Sequence, residues 1–220
     1  MPADPETERF AALRREMVES QLRARGLTDE GVLGAMARVP RHRFVAPEYQ
    51  SQAYADHPLP IGHGQTISQP YIVGITLQAL ALGPDSTVLE IGTGSGYMTA
   101  LLAELAGRVY SIERFEIFSR DAESILRDLG YSNVRMLVGD GSLGLPEYAP
   151  YDAIAVAAAA PRLPAQLFAQ LREAGRLVIP VGPPRDQELQ LVRKLEGKPV
   201  IASLGKCAFV PLIGSDGYMS

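Results

Sequence analysis

The 220-residue sequence contains a single cysteine, Cys207, and no tryptophan. One cysteine excludes an internal disulfide framework of the kind that stabilises small secreted proteins. Apolar runs are also short: the alanine-rich stretch at Ala157–Ala160 is bracketed by Asp152 and Arg162, whereas a membrane-spanning helix needs about 18 apolar residues or more. The N-terminal MPADPETE is acidic and contains proline, unlike the cationic start of a signal peptide. We therefore expect a cytoplasmic protein without a membrane partner.

The sequence also lacks an excess of positive charge. Its 21 Lys and Arg residues against 25 Asp and Glu residues give a net charge of −4, which provides no overall basic field for nucleic acid. Its 3 histidines are His42, His57 and His63, and none has partners at the spacing of metal ligands. We expect no metal site and no nucleic-acid partner.

What the sequence does contain is the composition of a globular α/β protein, with 46% hydrophobic residues, 21 Gly and 17 Pro. The length fits one domain. Apolar residues at helical spacing over residues 8–25, ended by Gly26, predict an amphipathic helix, and capping residues predict a second helix over residues 28–37. We predict an N-terminal helical extension over residues 1–60 and an α/β core over residues 61–220.

From Thr87 onwards, short apolar segments alternate with helical segments, and this alternation indicates a mostly parallel sheet with helices on both faces. The last two strands follow the final helix, so they are predicted to form an antiparallel edge. The predicted strands cover residues 87–91, 108–112, 134–138, 153–156, 176–181, 189–194 and 208–212. The predicted helices among them cover residues 96–106, 116–129 and 164–171.

A glycine-rich turn follows the first of these strands, in the segment VLEIGTGSGY. Gly92, Gly94 and Gly96 let the backbone approach a ligand at three alternate positions. A dinucleotide-binding fingerprint would need Gly or Ala where Tyr97 stands. Glu90, just before the turn, is a poor neighbour for a pyrophosphate but suits a ligand that carries an ammonium and a sulfonium group. The pattern favours S-adenosylmethionine.

Acidic residues at the ends of the next two strands support the same ligand. Glu113 ends the segment RVYSIE, where a carboxylate can accept hydrogen bonds from both hydroxyls of a ribose. Asp140 and Gly141 follow the next strand, within reach of an adenine amino group and a ring nitrogen. Each residue alone also fits an ordinary turn. Their occurrence at successive strand ends predicts a cofactor site across the carboxyl ends of the strands.

The segment GHGQTISQP, residues 62–70, indicates a more specific resemblance. The chain resembles the protein-L-isoaspartate O-methyltransferases, which have the Rossmann-like fold of class I methyltransferases. The resemblance covers most of residues 17–214. It rests on the segments MVESQLRARGLTDEGVLGAMARVPRHRFV, LPIGHGQTISQPYIV, VLEIGTGSGY, VGDG, APYDAIAVAAAAP, GRLVIPVG and FVPLIG.

The resemblance implies methyl transfer from S-adenosylmethionine to the α-carboxyl of isoaspartyl residues in damaged peptides and proteins, leaving S-adenosylhomocysteine and an ester that cyclises to succinimide. It implies that Ser68 is the catalytic residue and that the loop Gln65, Thr66, Ile67 and Ser68 lies over the cofactor. It also implies cofactor contacts for Ser95, Glu113, Asp140 and Gly141. The chain departs from some members at Val73 and Ile213, where they have histidine and threonine, so neither position is included in the predicted site.

This chemistry explains why the loop contains no ionisable catalyst. A carboxyl group is already ionised at neutral pH, so it can attack a sulfonium methyl without a general base. The hydroxyl of Ser68 can donate one hydrogen bond that orients the carboxylate. Without the resemblance, Thr66 and Ser68 would equally fit side chains that satisfy backbone groups in a turn. A hydrolase is disfavoured because no G-x-S-x-G segment surrounds Ser68.

Three alternatives stay open. One is a related carboxyl methyltransferase that acts on one dedicated peptide or a small molecule. Another is a regulatory protein that binds the cofactor without turnover, although the intact Gln65–Ser68 segment argues against it. An RNA methyltransferase is disfavoured by the net charge and by the lack of an aromatic and basic strand surface. We expect a monomer.

Overall fold

The computed structural model describes residues 5–219, with side chains from residue 8 onwards. Its helices are α1 (Pro5–Glu16), α2 (Glu30–Arg38), α3 (Pro70–Leu80), α4 (Tyr97–Leu105), α5 (Glu116–Asp128) and α6 (Ala165–Ala169). Its strands are β1 (Leu59–Gly62), β2 (Gln65–Ile67), β3 (Thr87–Ile91), β4 (Arg108–Glu113), β5 (Val134–Val138), β6 (Tyr151–Val156), β7 (Leu171–Val181), β8 (Gln187–Leu195) and β9 (Lys198–Cys207). Within residues 5–219, every helix is too short or too polar to cross a bilayer.

Seven strands form one sheet in the order β5-β4-β3-β6-β7-β8-β9. The pairs from β5 to β7 are parallel, whereas β8 and β9 run antiparallel to their neighbours. The predicted sheet with an antiparallel edge is therefore confirmed. The chain order reverses on the two sides of β3, and crevices of this kind at the carboxyl ends of strands are where open α/β sheets bind ligands.

Apolar residues on the two faces of the sheet form two clusters. One cluster joins β3 and β4 to all five helices from α1 to α5, through side chains such as Phe10, Val73 and Leu126. The other contains Leu89 and Ile91 of β3 and is covered by α6 and the segment before β6. The sheet is therefore covered on both faces, as predicted, with most helices on one face.

The N-terminal segment forms the two predicted helices. Helix α1 continues as a π-helix over Met17–Leu22 and a 3-10 turn over Arg23–Arg25, and it ends at Gly26 with φ of 93°. Helix α2 begins after Asp29, whose side chain accepts a hydrogen bond from the Val32 N–H at 3.1 Å. Residues 1–4 of the predicted extension lie outside the described residues, and the division at residue 60 stays a prediction.

The prediction of a last strand over residues 208–212 is wrong. The strand lies earlier, at β9, which β8 reaches through a two-residue turn formed by Glu196 and Gly197, with positive φ values of 51° and 71°. As the edge strand, β9 is exposed along most of its length, so it has no alternation of apolar and polar residues to reveal it. Residues 208–212 instead line a cavity, and Leu212 also packs into the second apolar cluster.

Helices α3 and α6 also differ from the sequence-based expectation. Helix α3 was not predicted: it carries no charged residue, so it lacks the polar face that marks an amphipathic helix, and it is buried between the N-terminal helices and the sheet. The predicted helix over residues 164–171 is shorter, because α6 ends at Ala169 and β7 already begins at Leu171.

Candidate active site

A cavity of about 320 Å³ opens at the carboxyl ends of β3, β4 and β6. The glycine turn and the residues after β4 form its floor, and Gln65–Gln69 form one wall. Residues 206–213, which are the end of β9 and the segment that follows it, form another wall. The cavity therefore lies at the predicted edge of the sheet, and its volume lies in the usual range of small-molecule sites, about 300–1,000 Å³.

The three glycines of the turn have two different tasks. Gly92, Gly94 and Gly96 all adopt left-handed backbone conformations, with φ of 91°, 52° and 86°. Gly92 and Gly94 line the cavity together with Ser95, as predicted for residues that approach a ligand. Gly96 does not line it: a Cβ there would lie 2.8 Å from Cβ of Ala122, so this glycine allows α5 to pack closely.

Glu113, the predicted ribose acceptor, lines the cavity with its carboxylate held by backbone groups. Its carboxylate is buried at the end of β4 and lines the cavity. The Gly94 N–H donates to one oxygen (Oε2) and the Phe115 N–H to the other (Oε1), both at 2.9 Å. Each oxygen keeps lone pairs for further donors. The backbone therefore fixes the orientation of this carboxylate beside the cavity.

Glu90 lies outside the cavity lining. It is completely buried beneath the glycine turn, and its Oε2 accepts hydrogen bonds from the hydroxyls of Thr99 and Ser111, both at 2.6 Å. Its other oxygen has no partner among the described residues. Burial raises the pKa of Glu90 to about 7. The structure links it to the cavity only through Ser111 and the hydroxyl of Thr93, which lines the cavity.

Asp140 also does not line the cavity, whereas Gly141 does. One carboxylate oxygen of Asp140 accepts from the N–H and the hydroxyl of Ser142, at 2.9 and 2.6 Å, and the other accepts from the N–H of Ser215 at 2.8 Å. Burial opposes ionisation, but these hydrogen bonds outweigh it and hold the pKa of Asp140 below its usual range. Asp140 therefore anchors the C-terminal segment to the adenine end of the predicted site.

Residues Gln65–Gln69, which form β2 and its connection to α3, lie beside the cavity. Gln65, Thr66, Ile67 and Ser68 all line it, as predicted. Ser68 lies between the end of β2 and the start of α3, and its backbone carbonyl accepts a hydrogen bond from a buried arginine, Arg41.

His63 forms the tip of the β1–β2 hairpin and does not line the cavity. Its ring stacks on Phe115 with centroids 5.5 Å apart, and it contacts the ring of Phe118 edge-on. These contacts place the hairpin over the first residues after β4. The structure therefore shows a packing role for His63 and no proton-transfer partner among the described residues.

Several cavity residues were missed from the sequence, including Val73 and Ile213, which were left out of the predicted site but line the cavity. Lys206, Cys207 and Ala208 precede the segment FVPLIG and belong to the same wall, and Phe115 follows two residues after Glu113 on the floor. No local pattern reveals the wall, since it forms only when the chain returns from the sheet edge. Among the residues that the structure describes, no group of three or more His, Cys, Asp and Glu side chains could hold a metal ion.

Comparison with known proteins identifies relatives over the whole described chain. The family described as Protein-L-isoaspartate(D-aspartate) O-methyltransferase (PCMT) matches residues 13–217. The protein-L-isoaspartate O-methyltransferase of Koribacter versatilis is 52% identical over 218 residues, covering 99% of this chain and 98% of its own length. That of Opitutus terrae is 56% identical over 199 residues, covering 90% of this chain and 85% of its own.

Solved structures show the same likeness. A protein-L-isoaspartate O-methyltransferase with 29% identity superposes with a TM-score of 0.82 over 92% of this chain, which spans 66% of that longer chain. A Plasmodium falciparum structure described as a protein-L-isoaspartate O-methyltransferase, in complex with S-adenosyl-L-homocysteine, has a TM-score of 0.79 and 27% identity, covering 91% of this chain and 98% of its own.

Proposed function

The chain belongs to the protein-L-isoaspartate(D-aspartate) O-methyltransferase family, and from this premise we propose which residues of its cavity hold the cofactor and which hold the acceptor. The protein is a methyltransferase that uses S-adenosylmethionine to methylate isoaspartyl residues in peptides and proteins, the first step of their repair. The alternative of one dedicated peptide or small molecule is not favoured by these relatives.

One observation carries the proposal: the glycine turn and Glu113, which have the features of a cofactor site, line the same cavity as residues Gln65–Ser68. The floor fits S-adenosylmethionine, because Gly92 and Gly94 present bare backbone and Glu113 presents two oriented carboxylate oxygens. Gly141 lines the cavity where a backbone N–H can meet the adenine ring. Bound there, S-adenosylmethionine supplies an electrophilic methyl group on a sulfonium.

The acceptor end lies against Ser68. Its hydroxyl has no hydrogen-bond partner among the described residues, so it is available to an isoaspartyl carboxylate. No side chain has to remove a proton, because the α-carboxyl is ionised at neutral pH. A cation at this position would hold the carboxylate back, whereas one neutral donor orients it. Gln65, Thr66 and Ile67 would exclude water from the reacting groups.

The predicted contacts of Glu90, Gly96 and Asp140 are revised in this proposal. None of the three lines the cavity. Glu90 supports the glycine turn, Gly96 leaves space for α5 to pack closely, and Asp140 holds the C-terminal wall by hydrogen bonds. A cytoplasmic location and the absence of nucleic-acid and membrane partners remain proposals supported by the composition, and a monomeric state remains a proposal.

Turnover on a matched pair of peptides tests the proposal. The purified protein is incubated with cofactor labelled in its methyl group and with either an isoaspartyl peptide or its aspartyl twin. Base-labile label, released as volatile methanol, is counted. We expect methylation of the isoaspartyl peptide and little of its twin. Equal methylation of both peptides would contradict the repair reaction. Cofactor binding without any transfer, measured by calorimetry, would favour the regulatory alternative.

A further inference from the structure

Arg41 is a completely buried cationic side chain that the proposed mechanism does not use. It begins the 3-10 turn Arg41–Phe44, between α2 and β1. Its Nε donates to the carbonyl of Ala53 at 2.7 Å, and its Nη2 donates to the carbonyl of Ser68 at 2.8 Å. The guanidinium carbon lies 4.8 Å from the ring centre of Tyr97. The N-terminal extension is thereby joined to the proposed catalytic residue.

Burying this charge is unfavourable for folding by itself. Burial lowers the pKa of Arg41 to about 10, and the group still stays protonated at neutral pH. Its partners among the described residues are carbonyl groups and an aromatic ring, with no carboxylate in hydrogen-bond contact. Well-packed apolar side chains often stabilise a core as well as such a group does. The guanidinium adds a rigid planar group whose N–H donors join two main-chain segments.

The segment it holds has few other restraints. Ser68 and Gln69 lie between β2 and α3, and Pro70, the first residue of α3, has no N–H to donate. The side-chain amide of Gln69 donates to the carboxylate of Asp56 at 2.9 Å. The N-terminal extension therefore holds this segment at two consecutive residues, and among the described side chains only Arg41 donates a hydrogen bond to Ser68 itself.

We propose that Arg41 is a positioning residue: by holding the Ser68 carbonyl, it fixes the peptide plane that directs the Ser68 hydroxyl into the cavity. This inference rests on the proposed role of Ser68. It assigns to the N-terminal extension a part in turnover that is separate from packing. The hydroxyl must be correctly placed to a fraction of an ångström to orient a carboxylate, and small misplacements reduce rates strongly.

A double-mutant cycle tests the inference. Arg41→Gln and Arg41→Lys are each made alone and together with Ser68→Ala, and kcat and KM for an isoaspartyl peptide are measured at saturating S-adenosylmethionine. With Ser68 present, we expect Arg41→Gln to lower kcat about 10- to 100-fold, with a smaller loss for Arg41→Lys, which can still donate to one carbonyl. With Ser68→Ala, we expect the same Arg41 substitutions to change kcat less than about threefold.

The matched control is Arg38→Gln. Arg38 is an exposed arginine at the end of α2 that contacts Glu104, and we expect its replacement to leave kcat unchanged in both backgrounds. Thermal melting and affinity for S-adenosylhomocysteine are measured for every variant, so that unfolded protein is not counted as inactive enzyme. If Arg41→Gln does not fold, Arg41→Lys completes the cycle.

Two results would overturn the inference. Equal fold-losses of kcat with and without the Ser68 hydroxyl would show that Arg41 acts on the fold as a whole. Failure of both Arg41 variants to fold would likewise make its role one of stability. The proposed function is judged separately, because it depends on the turnover of the unmodified protein on the isoaspartyl peptide.

Discussion

The buried carboxyl of Glu90 should make the cofactor-free protein less stable as the pH rises. The folded protein holds this proton up to about pH 7, because burial disfavours the charged form more than the hydroxyls of Thr99 and Ser111 favour it. An unfolded chain releases the proton near the ordinary value of 4.5. The folded state therefore binds more protons between these two values, and the free energy of unfolding falls as the pH rises through that window.

The magnitude is set by the same two values. Each pH unit in the window changes the free energy of unfolding by about 1.4 kcal/mol. Ionisation of Glu90 should therefore destabilise the folded protein by about 3 kcal/mol at pH 8, relative to pH 4.5. Glu90→Gln removes the ionisation and keeps an oxygen that can accept from Thr99 and Ser111. We expect the variant to match the unmodified protein near pH 4.5 and to be about 3 kcal/mol more stable at pH 8.

Urea denaturation followed by circular dichroism, at pH values from 4.5 to 8 and without cofactor, measures this difference. Glu123→Gln on the exposed face of α5 is the control for removal of one negative charge, and surface changes of this kind stay within about 0.5 kcal/mol. A difference between Glu90→Gln and the unmodified protein that does not change with pH would refute the reasoning. So would a variant that is the less stable of the two at pH 8.

Substitutions at the loop, the glycine turn and the C-terminal wall give three further tests. Ser68→Ala should lower kcat about 10- to 100-fold, the worth of one hydrogen bond to a charged group, with unchanged affinity for S-adenosylhomocysteine; turnover within a factor of two would rule out its role. Gly96→Ala should lower the free energy of unfolding by about 2–4 kcal/mol, because φ is 86° and the new Cβ meets Ala122, whereas Gly130→Ala, with the same φ and open space, should lose only about 1–2 kcal/mol. Equal losses in urea denaturation would contradict the packing. Asp140→Ala should release the C-terminal segment and weaken S-adenosylhomocysteine binding about tenfold or more; calorimetry that finds unchanged affinity would show that the wall does not depend on this anchor.

Local patterns predicted the core of the fold. The strands β3 to β6 and the helices α4 and α5 arise from short apolar runs, a glycine turn and helical spacing, all of which act over a few residues. Elements without such a pattern were missed. Helix α3 is apolar on all sides because it is enclosed, and β9 is exposed because it is the sheet edge.

The site residues were likewise predicted only in part. Glu113 and the cavity-lining glycines were found from the sequence because a parallel sheet brings successive strand ends to one edge. Side-chain direction was not predictable from that rule. Asp140 turns to Ser142 and Ser215, which are 2 and 75 residues away, and the second of these is a neighbour only in the folded chain.

The sequence by itself determined the fold class, the position of the candidate site and the family, since these depend on short motifs and their order. Only the tertiary structure decided which acidic groups face the cavity and which are enclosed behind it. It alone showed Arg41 beneath Ser68, 27 residues apart in the chain. The physical reason is that burial and hydrogen-bond partners depend on which distant segments pack together, and no local spacing records them.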